Sequence, residues 1–144
     1  MEGARSGWIV MAIMSAFFAA LTTIFAKIGV RDVPSNLATA IRTVVILLMA
    51  WGIVIGTGEV TGLRTVGQRA WLFLILSGLA TGASWLFYFG ALQRGPASVV
   101  APIDKTSIAM VLVLAALFLG EPLTVKSVIG GGLVVLGAIV VAWK

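Results

Sequence analysis

The chain has 144 residues, of which 60% are hydrophobic and 10% are charged, and its formal net charge is +5. A soluble domain carries roughly a quarter charged residues, so this composition excludes an ordinary water-soluble domain and predicts a protein surrounded by lipid. Because the sequence contains no Cys and no His, it also excludes disulfide frameworks, thiol or histidine catalysis and the usual zinc and haem ligands.

Five apolar segments follow one another along the chain, and each is long enough to cross a bilayer. A helix needs about 20 mostly apolar residues to span a hydrocarbon core of about 30 Å. The segments are residues 8–30, 36–57, 70–92, 97–119 and 125–143. Short connectors with Gly, Pro or charged residues separate them. Because the segments contain so few charges, no helix has a polar face for water. The sequence therefore predicts an all-α integral membrane protein, with residues 1–144 as one domain of five transmembrane helices.

The first span offers hydroxyls and small side chains. Thr22 and Thr23 lie near its far end, and we expect Thr22 to line a polar site there. Ala12, Ala16 and Ala20 form a small-residue stripe on one helical face. Such stripes let helix backbones approach closely in lipid, so this one predicts a helix contact.

Three ionisable residues lie inside the spans once the charges at span ends are assigned to connectors: Arg42, Asp104 and Lys105. An ionised group at mid-helix costs at least about 2.5–3.5 kcal/mol on insertion scales, so we expect these groups to be paired or functional. The second and fourth spans start on the same side of the membrane, and a rise of ~1.5 Å per residue puts Arg42 and Asp104 both ~10 Å deep. A guanidinium and a carboxylate form bidentate pairs, so we expect Asp104 to pair with Arg42.

Lys105 points about 100° away from Asp104 around the helix, so the two cannot both aim at one neighbour. We expect Lys105 to face a cavity as a contact for substrate or coupling, with Asp104 as the protonatable or paired carboxylate. A static polar knot that only holds the second and fourth spans together is the alternative that the sequence leaves open.

In the third span, Trp85 and Tyr88 lie three residues apart on one face, at about the depth of Thr22. Aromatic rings and hydroxyls beside a fixed charge can orient a small polar organic ligand, although aromatic pairs near a span end also serve as interface anchors. Gly78 and Gly82 form a GxxxG pattern, which predicts close packing against another helix.

The last two spans contain a predicted hinge and a predicted packing helix. Pro102, two residues before Asp104, removes one helical hydrogen bond and predicts a kink that can flex. The fifth span contains Gly130, Gly131 and Gly137 and no ionised group at mid-span, so we expect it to pack against another helix or a second chain.

The cations outside the spans do not set an orientation. Four lie on the N-terminal side, at positions 5, 64, 69 and 126, and four on the other side, at positions 27, 31, 94 and 144. Because an excess of Lys and Arg fixes orientation, this balance predicts insertion both ways and antiparallel pairing of identical chains, unless the even count arose by chance. The cations are scattered along the chain, which argues against a nucleic-acid partner.

Two stretches resemble a known family. The sequence ALQRGPASVVAPIDK at 91–105, followed by FLGEPL at 118–123, closely resembles the EamA-type domain of the drug/metabolite transporter superfamily. The resemblance extends from FAKIG at 25–29 through SNLATAIR at 35–42 to the glycines of the last span. It looks like the short bacterial form, which implies one half of the ten-helix fold and dimerisation into a complete transporter with inverted repeats. The seven-residue spacing of Gly130 and Gly137 also resembles the dimer helix of small multidrug resistance proteins, but the first-span glutamate of those proteins is absent here.

We therefore expect a multi-pass protein of the bacterial inner membrane that moves a small organic solute by alternating access as a dual-topology antiparallel homodimer. Two buried cations to one anion favour anionic or zwitterionic solutes. The expected substrate-binding or coupling residues are Lys105, Asp104, Arg42, Tyr88, Trp85 and Thr22. No enzymatic activity, cofactor or metal is expected. Two alternatives stay open: a non-transporting membrane subunit, and a half-transporter that needs a different five-helix partner.

Overall fold

The computed structural model describes residues 2–143, with side chains from residue 7 onward, and all regular structure in this part of the chain is helical. Five helical stretches are long and apolar enough to cross a membrane: Gly7–Gly29, Ser35–Gly56, Gln68–Arg94, Ala97–Leu119 and Val125–Ala142. Their ends agree with the predicted spans to within two residues. The predicted all-α membrane fold is therefore confirmed. Of the charges counted for orientation, Lys144 and the side chain of Arg5 lie outside the described residues.

Six α-helices build these stretches, and the fourth span contains two of them. The helices are α1 (Glu2–Gly29), α2 (Ser35–Gly56), α3 (Gln68–Arg94), α4 (Ala97–Asp104), α5 (Ser107–Leu114) and α6 (Val125–Ala142). A short 3₁₀ helix, Glu59–Thr65, lies in the connector between α2 and α3. A π-helical turn, Ala115–Leu119, ends the fourth span, and Gly120 closes it with a φ of +67° that favours glycine.

The chain divides into two compact units. The second unit is residues 28–93, which contain α2 and all of α3 except its last residue. The first unit is made of the chain on either side, which contains most of α1 and all of α4 to α6. In the first unit, α6 packs along both α4 and α5. At the end of α1, the Lys27 ammonium donates a hydrogen bond to the Gly95 carbonyl at 2.8 Å, which ties α1 to the turn before α4.

One predicted packing glycine makes a very close helix contact. A Cβ placed on Gly131 would lie 2.6 Å from Cδ1 of Leu112, so any larger residue here would require the Leu112 side chain to move. A Cβ on Gly130, Gly137, Gly78 or Gly82 would meet no atom within 4 Å. Those four glycines make no such contact in the described part of the chain, and their role in a dimer stays a prediction.

The core of the second unit lies where the end of α3 meets the connector before α2. Val30, Phe89 and Leu92 are its fully buried side chains. The Gln93 side-chain amide donates hydrogen bonds to the carbonyls of Val30, at 3.1 Å, and Val33, at 2.6 Å. These bonds satisfy connector carbonyls that no helix uses, so the end of α3 fixes the shape of the connector.

The fourth span is interrupted at Lys105 and Thr106, three and four residues beyond the predicted hinge at Pro102, which lies inside α4. The Thr106 N–H donates to the Ile103 carbonyl at 3.0 Å, and the Thr106 hydroxyl donates to the same oxygen at 2.7 Å. The hydroxyl thereby competes for a carbonyl that a continuous α-helix would offer to the N–H of residue 107. The break is consistent with this local competition, and flexing at Pro102 stays a prediction.

Candidate functional site

The first unit contains an open cleft of about 740 Å³ between α1 and the fourth span. Most of its surface is apolar. One wall is formed by the small residues of α1, which are Ala12, Ser15, Ala16, Ala19 and Ala20. The alanine stripe lines this cleft, and Ala12, Ala16 and Ala20 are exposed, so its predicted close helix contact stays a prediction.

Lys105 is the ionisable side chain among the described residues that line this cleft. It lies directly after α4, at the break in the fourth span, and about 12 Å along that span from Ala97 at ~1.5 Å per residue. Its ammonium lies 3.4 Å from the Asp104 carboxylate, and the two side chains are 55% and 36% exposed. Asp104 does not line the cleft. Lys105 thus lines an open cleft, and its predicted role as a contact for substrate or coupling stays a prediction.

Hydroxyl groups provide the remaining polar character of the cleft. Ser15 contributes from α1, Ser98 from α4 and Ser107 from the start of α5. Thr23 also lines the cleft, and its hydroxyl donates to the Ala19 carbonyl at 3.1 Å. Thr22, the predicted wall residue, is half-buried on α1 but is not part of the lining. The two threonines are adjacent, so a sequence without a known helix rotation gives no basis for choosing between them.

The second unit contains a separate cluster around Arg42. The guanidinium carbon of Arg42 lies 4.8 Å from the centre of the Trp85 ring and 4.9 Å from the centre of the Phe89 ring. Phe89 is fully buried, while Arg42 and Trp85 are half-buried. A cation over an aromatic face gains about 0.5–2 kcal/mol, more where water is excluded. The ring faces therefore stabilise the positive charge of Arg42.

Phe89 is the residue that sequence reasoning missed. It lies four residues after Trp85, so both rings project from one face of α3, and this spacing is the signal that points to it. Tyr88 is half-buried and packs edge-on against Phe89, with ring centres 6.2 Å apart. Arg42 and Asp104 belong to different units, and their pairing stays a prediction.

The cleft can hold an organic molecule with an apolar body, and it offers one ammonium group and several hydroxyls for a polar end. A mostly apolar wall with a few convergent polar groups is the usual composition of a small-molecule site. Among the described residues, no group of three or more Asp and Glu side chains is placed to hold a metal ion. The arrangement suits binding of a solute.

Comparisons with known proteins agree with these features. The profile of a family described as "EamA-like transporter family" matches residues 6–143. A Sinorhizobium protein named "Uncharacterized transporter in cobO 3'region" is 51% identical over 135 residues, which cover 94% of this chain and 96% of that protein. "Uncharacterized protein MJ1333.1" of Methanocaldococcus jannaschii is 29% identical over 140 residues, which cover 93% of this chain and 95% of that protein. No solved structure matches the chain significantly.

Proposed function

Because this chain belongs to the EamA-like transporter family, within the drug/metabolite transporter superfamily, we propose that it carries a small organic solute across the membrane by alternating access. It is a multi-pass membrane protein, and the family and the relative named as a transporter support transport as its general function. The bacterial inner membrane is the proposed location.

The cleft beside Lys105 is the observation on which this proposal rests. An ammonium group within a membrane-spanning segment is costly unless it is solvated or bound. Lys105 lines an open cleft and is 55% exposed, so a solute that enters the cleft can reach the charge. We assign Lys105 the role of solute contact and Asp104 that of its alternative partner. An anionic or zwitterionic solute complements the ammonium.

An antiparallel homodimer is the proposed assembly. Many transporters contain two inverted repeats in one chain, with the binding site between the repeats, whereas the described residues of this chain contain five candidate spans. The two relatives are covered over 96% and 95% of their own lengths, so they too are about the size of a single five-helix unit. Two chains in opposite orientations would supply the inverted pair, and the balanced loop charges favour both orientations.

Replacement of Lys105 tests the site. In purified protein reconstituted in lipid, we expect Lys105→Ala to abolish binding of solutes found by thermal-shift screening of the unmodified protein, while the dimer persists on size-exclusion chromatography. Lys126→Ala, near the start of α6 and outside the cleft, is the matched control and should bind normally. Loss of assembly in Lys105→Ala, with no solute stabilising the unmodified protein, would instead favour the non-transporting subunit.

Crosslinking tests the assembly. The chain contains no cysteine, so single-cysteine variants report specific proximities. Co-expression of Gly3→Cys and Trp143→Cys chains should give links between unlike termini, because an antiparallel dimer places the N-terminus of one chain on the same side as the C-terminus of the other. Links only between like termini would contradict the antiparallel dimer, and a failure of this chain to assemble alone would favour a different five-helix partner.

A further inference from the structure

We infer that the solute is an amphipathic monocarboxylate, and that its carboxylate replaces Asp104 at the Lys105 ammonium. This inference rests on the proposed function, because it names the solute class of the same cleft. It narrows the charge class from anionic or zwitterionic to a single negative charge on an apolar body.

The charges that line the cleft favour a monoanion. Lys105 contributes one ammonium, and no carboxylate is among the lining residues in the described part of the chain. A zwitterion would bring its own ammonium, and the carboxylate nearest to Lys105, that of Asp104, lies outside the cleft lining. A dicarboxylate would leave its second charge against an apolar wall, where an unpaired charge is strongly disfavoured. A monocarboxylate leaves neither of its ends mismatched.

The apolar wall indicates where the body of the solute lies. Ala12, Ala16, Ala19 and Ala20 extend for about 12 Å along α1, at ~1.5 Å per residue, and on the opposite side Ala101 and Pro102 line the cleft. Small side chains leave a trough that an alkyl chain can fill with apolar contacts. Burial of each CH₂ group is favourable, so affinity should rise with chain length until the trough is filled.

The contact between Lys105 and Asp104 is suited to exchange. Its 3.4 Å separation is longer than the roughly 2.7–2.9 Å of a strong bond between an ammonium and a carboxylate. Both side chains are partly exposed, which screens the attraction further. A solute carboxylate in the cleft can approach the ammonium at the shorter distance. Asp104 therefore acts as an internal competitor that occupies Lys105 when the cleft holds no solute.

A matched set of six-carbon probes tests the solute class on the unmodified protein. Binding of hexanoate, norleucine, adipate and hexylammonium is measured by calorimetry on protein in nanodiscs, with empty nanodiscs as the blank. We expect hexanoate to bind about tenfold or more tighter than each of the others, a factor that corresponds to about 1.4 kcal/mol. Equal or tighter binding of norleucine, or no binding of hexanoate, would overturn the inference.

Two variants test the exchange at Lys105. Lys105→Met keeps a long side chain without charge and should weaken hexanoate about tenfold or more, whereas Asp104→Asn removes the competitor and should tighten it several-fold. Lys126→Met is the control and should match the unmodified protein. Weaker hexanoate binding in a folded Asp104→Asn protein would overturn the exchange. If norleucine binds as tightly as hexanoate or more tightly, and requires Lys105, the monocarboxylate class is wrong while the proposed transport site stands.

Discussion

Lys105 and Arg42 hold positive charge inside membrane-spanning helices by different means. The flat guanidinium of Arg42 lies against Trp85 and Phe89, so its charge is stabilised by rings on its own unit. The Lys105 ammonium has one carboxylate contact at 3.4 Å and an open cleft beside it. The ring contacts favour a fixed position for Arg42, whereas the contact of Lys105 is suited to exchange. A role of Arg42 in binding or coupling stays a prediction.

Removal of one ring from the Arg42 cluster should destabilise the protein. We expect Trp85→Leu to lower the free energy of unfolding by about 1–2 kcal/mol beyond the loss of apolar packing, because a partly desolvated cation–π contact is lost. The measurement is thermal unfolding in detergent. Trp71→Leu, which removes an exposed ring near the start of α3, is the control. Equal losses in the two variants would contradict the role given to the ring faces.

At the level of the helices, the contact between α5 and α6 depends on one missing side chain. A Cβ on Gly131 would lie 2.6 Å from Leu112 Cδ1, whereas a Cβ on Gly132 would meet nothing within 4 Å. Neighbouring positions on α6 thus differ sharply in the space that they have. The same helix presents one face to α5 and another to open space in the described part of the chain.

Alanine at these two glycines should therefore have different effects. Gly131→Ala should lower the free energy of unfolding by about 1 kcal/mol relative to Gly132→Ala, because the end of the Leu112 side chain must turn away from the added methyl group. Gly132→Ala should leave stability unchanged or raise it by up to about 1 kcal/mol through helix propensity. Thermal unfolding of both variants in detergent gives the comparison. The double variant Gly131→Ala with Leu112→Ala should recover part of the loss, and equal effects of the two single variants would argue against the close contact.

The five spans were predictable because length and apolar composition alone decide whether a helix can cross lipid. The break after Asp104 was not, because it coincides with a short hydrogen bond from the Thr106 hydroxyl to the Ile103 carbonyl, and many threonines in helices make similar bonds without ending the helix. The surroundings of Ala12 and Ala16 could not be predicted from the sequence either. Small residues permit either a close contact or an open trough, and only the positions of the neighbouring helices decide which forms.

For the whole molecule, the even distribution of loop cations is the property with the largest proposed consequence. A single added lysine should break the balance, since orientation follows the excess of Lys and Arg on one side. Thr65 lies in the connector on the N-terminal side, and Asn36 lies at the start of α2 on the other side; both side chains are exposed. These two positions form a matched pair for a test of dual topology.

We expect a cysteine at Trp143 to be labelled from outside the cell in about half of the unmodified chains, as equal charge on both sides implies. Thr65→Lys and Asn36→Lys should shift this fraction in opposite directions. Each variant alone should lose transport, and co-expression should restore it, because only the mixture supplies both orientations. Full transport by each variant alone, with a uniform orientation, would contradict the antiparallel assembly.

The bonds from Gln93 to the first connector have a consequence for biosynthesis. The Val30 carbonyl accepts a hydrogen bond from the side chain of Gln93, which lies 63 positions later in the chain. A ribosome that adds about 5–20 residues per second takes about 3–13 s to synthesise the chain from Val30 to Gln93. During that interval the first two spans lack the hydrogen bonds from Gln93 to the connector between them. The first connector therefore takes its final hydrogen-bonded form only after the third candidate span of the described chain has been made.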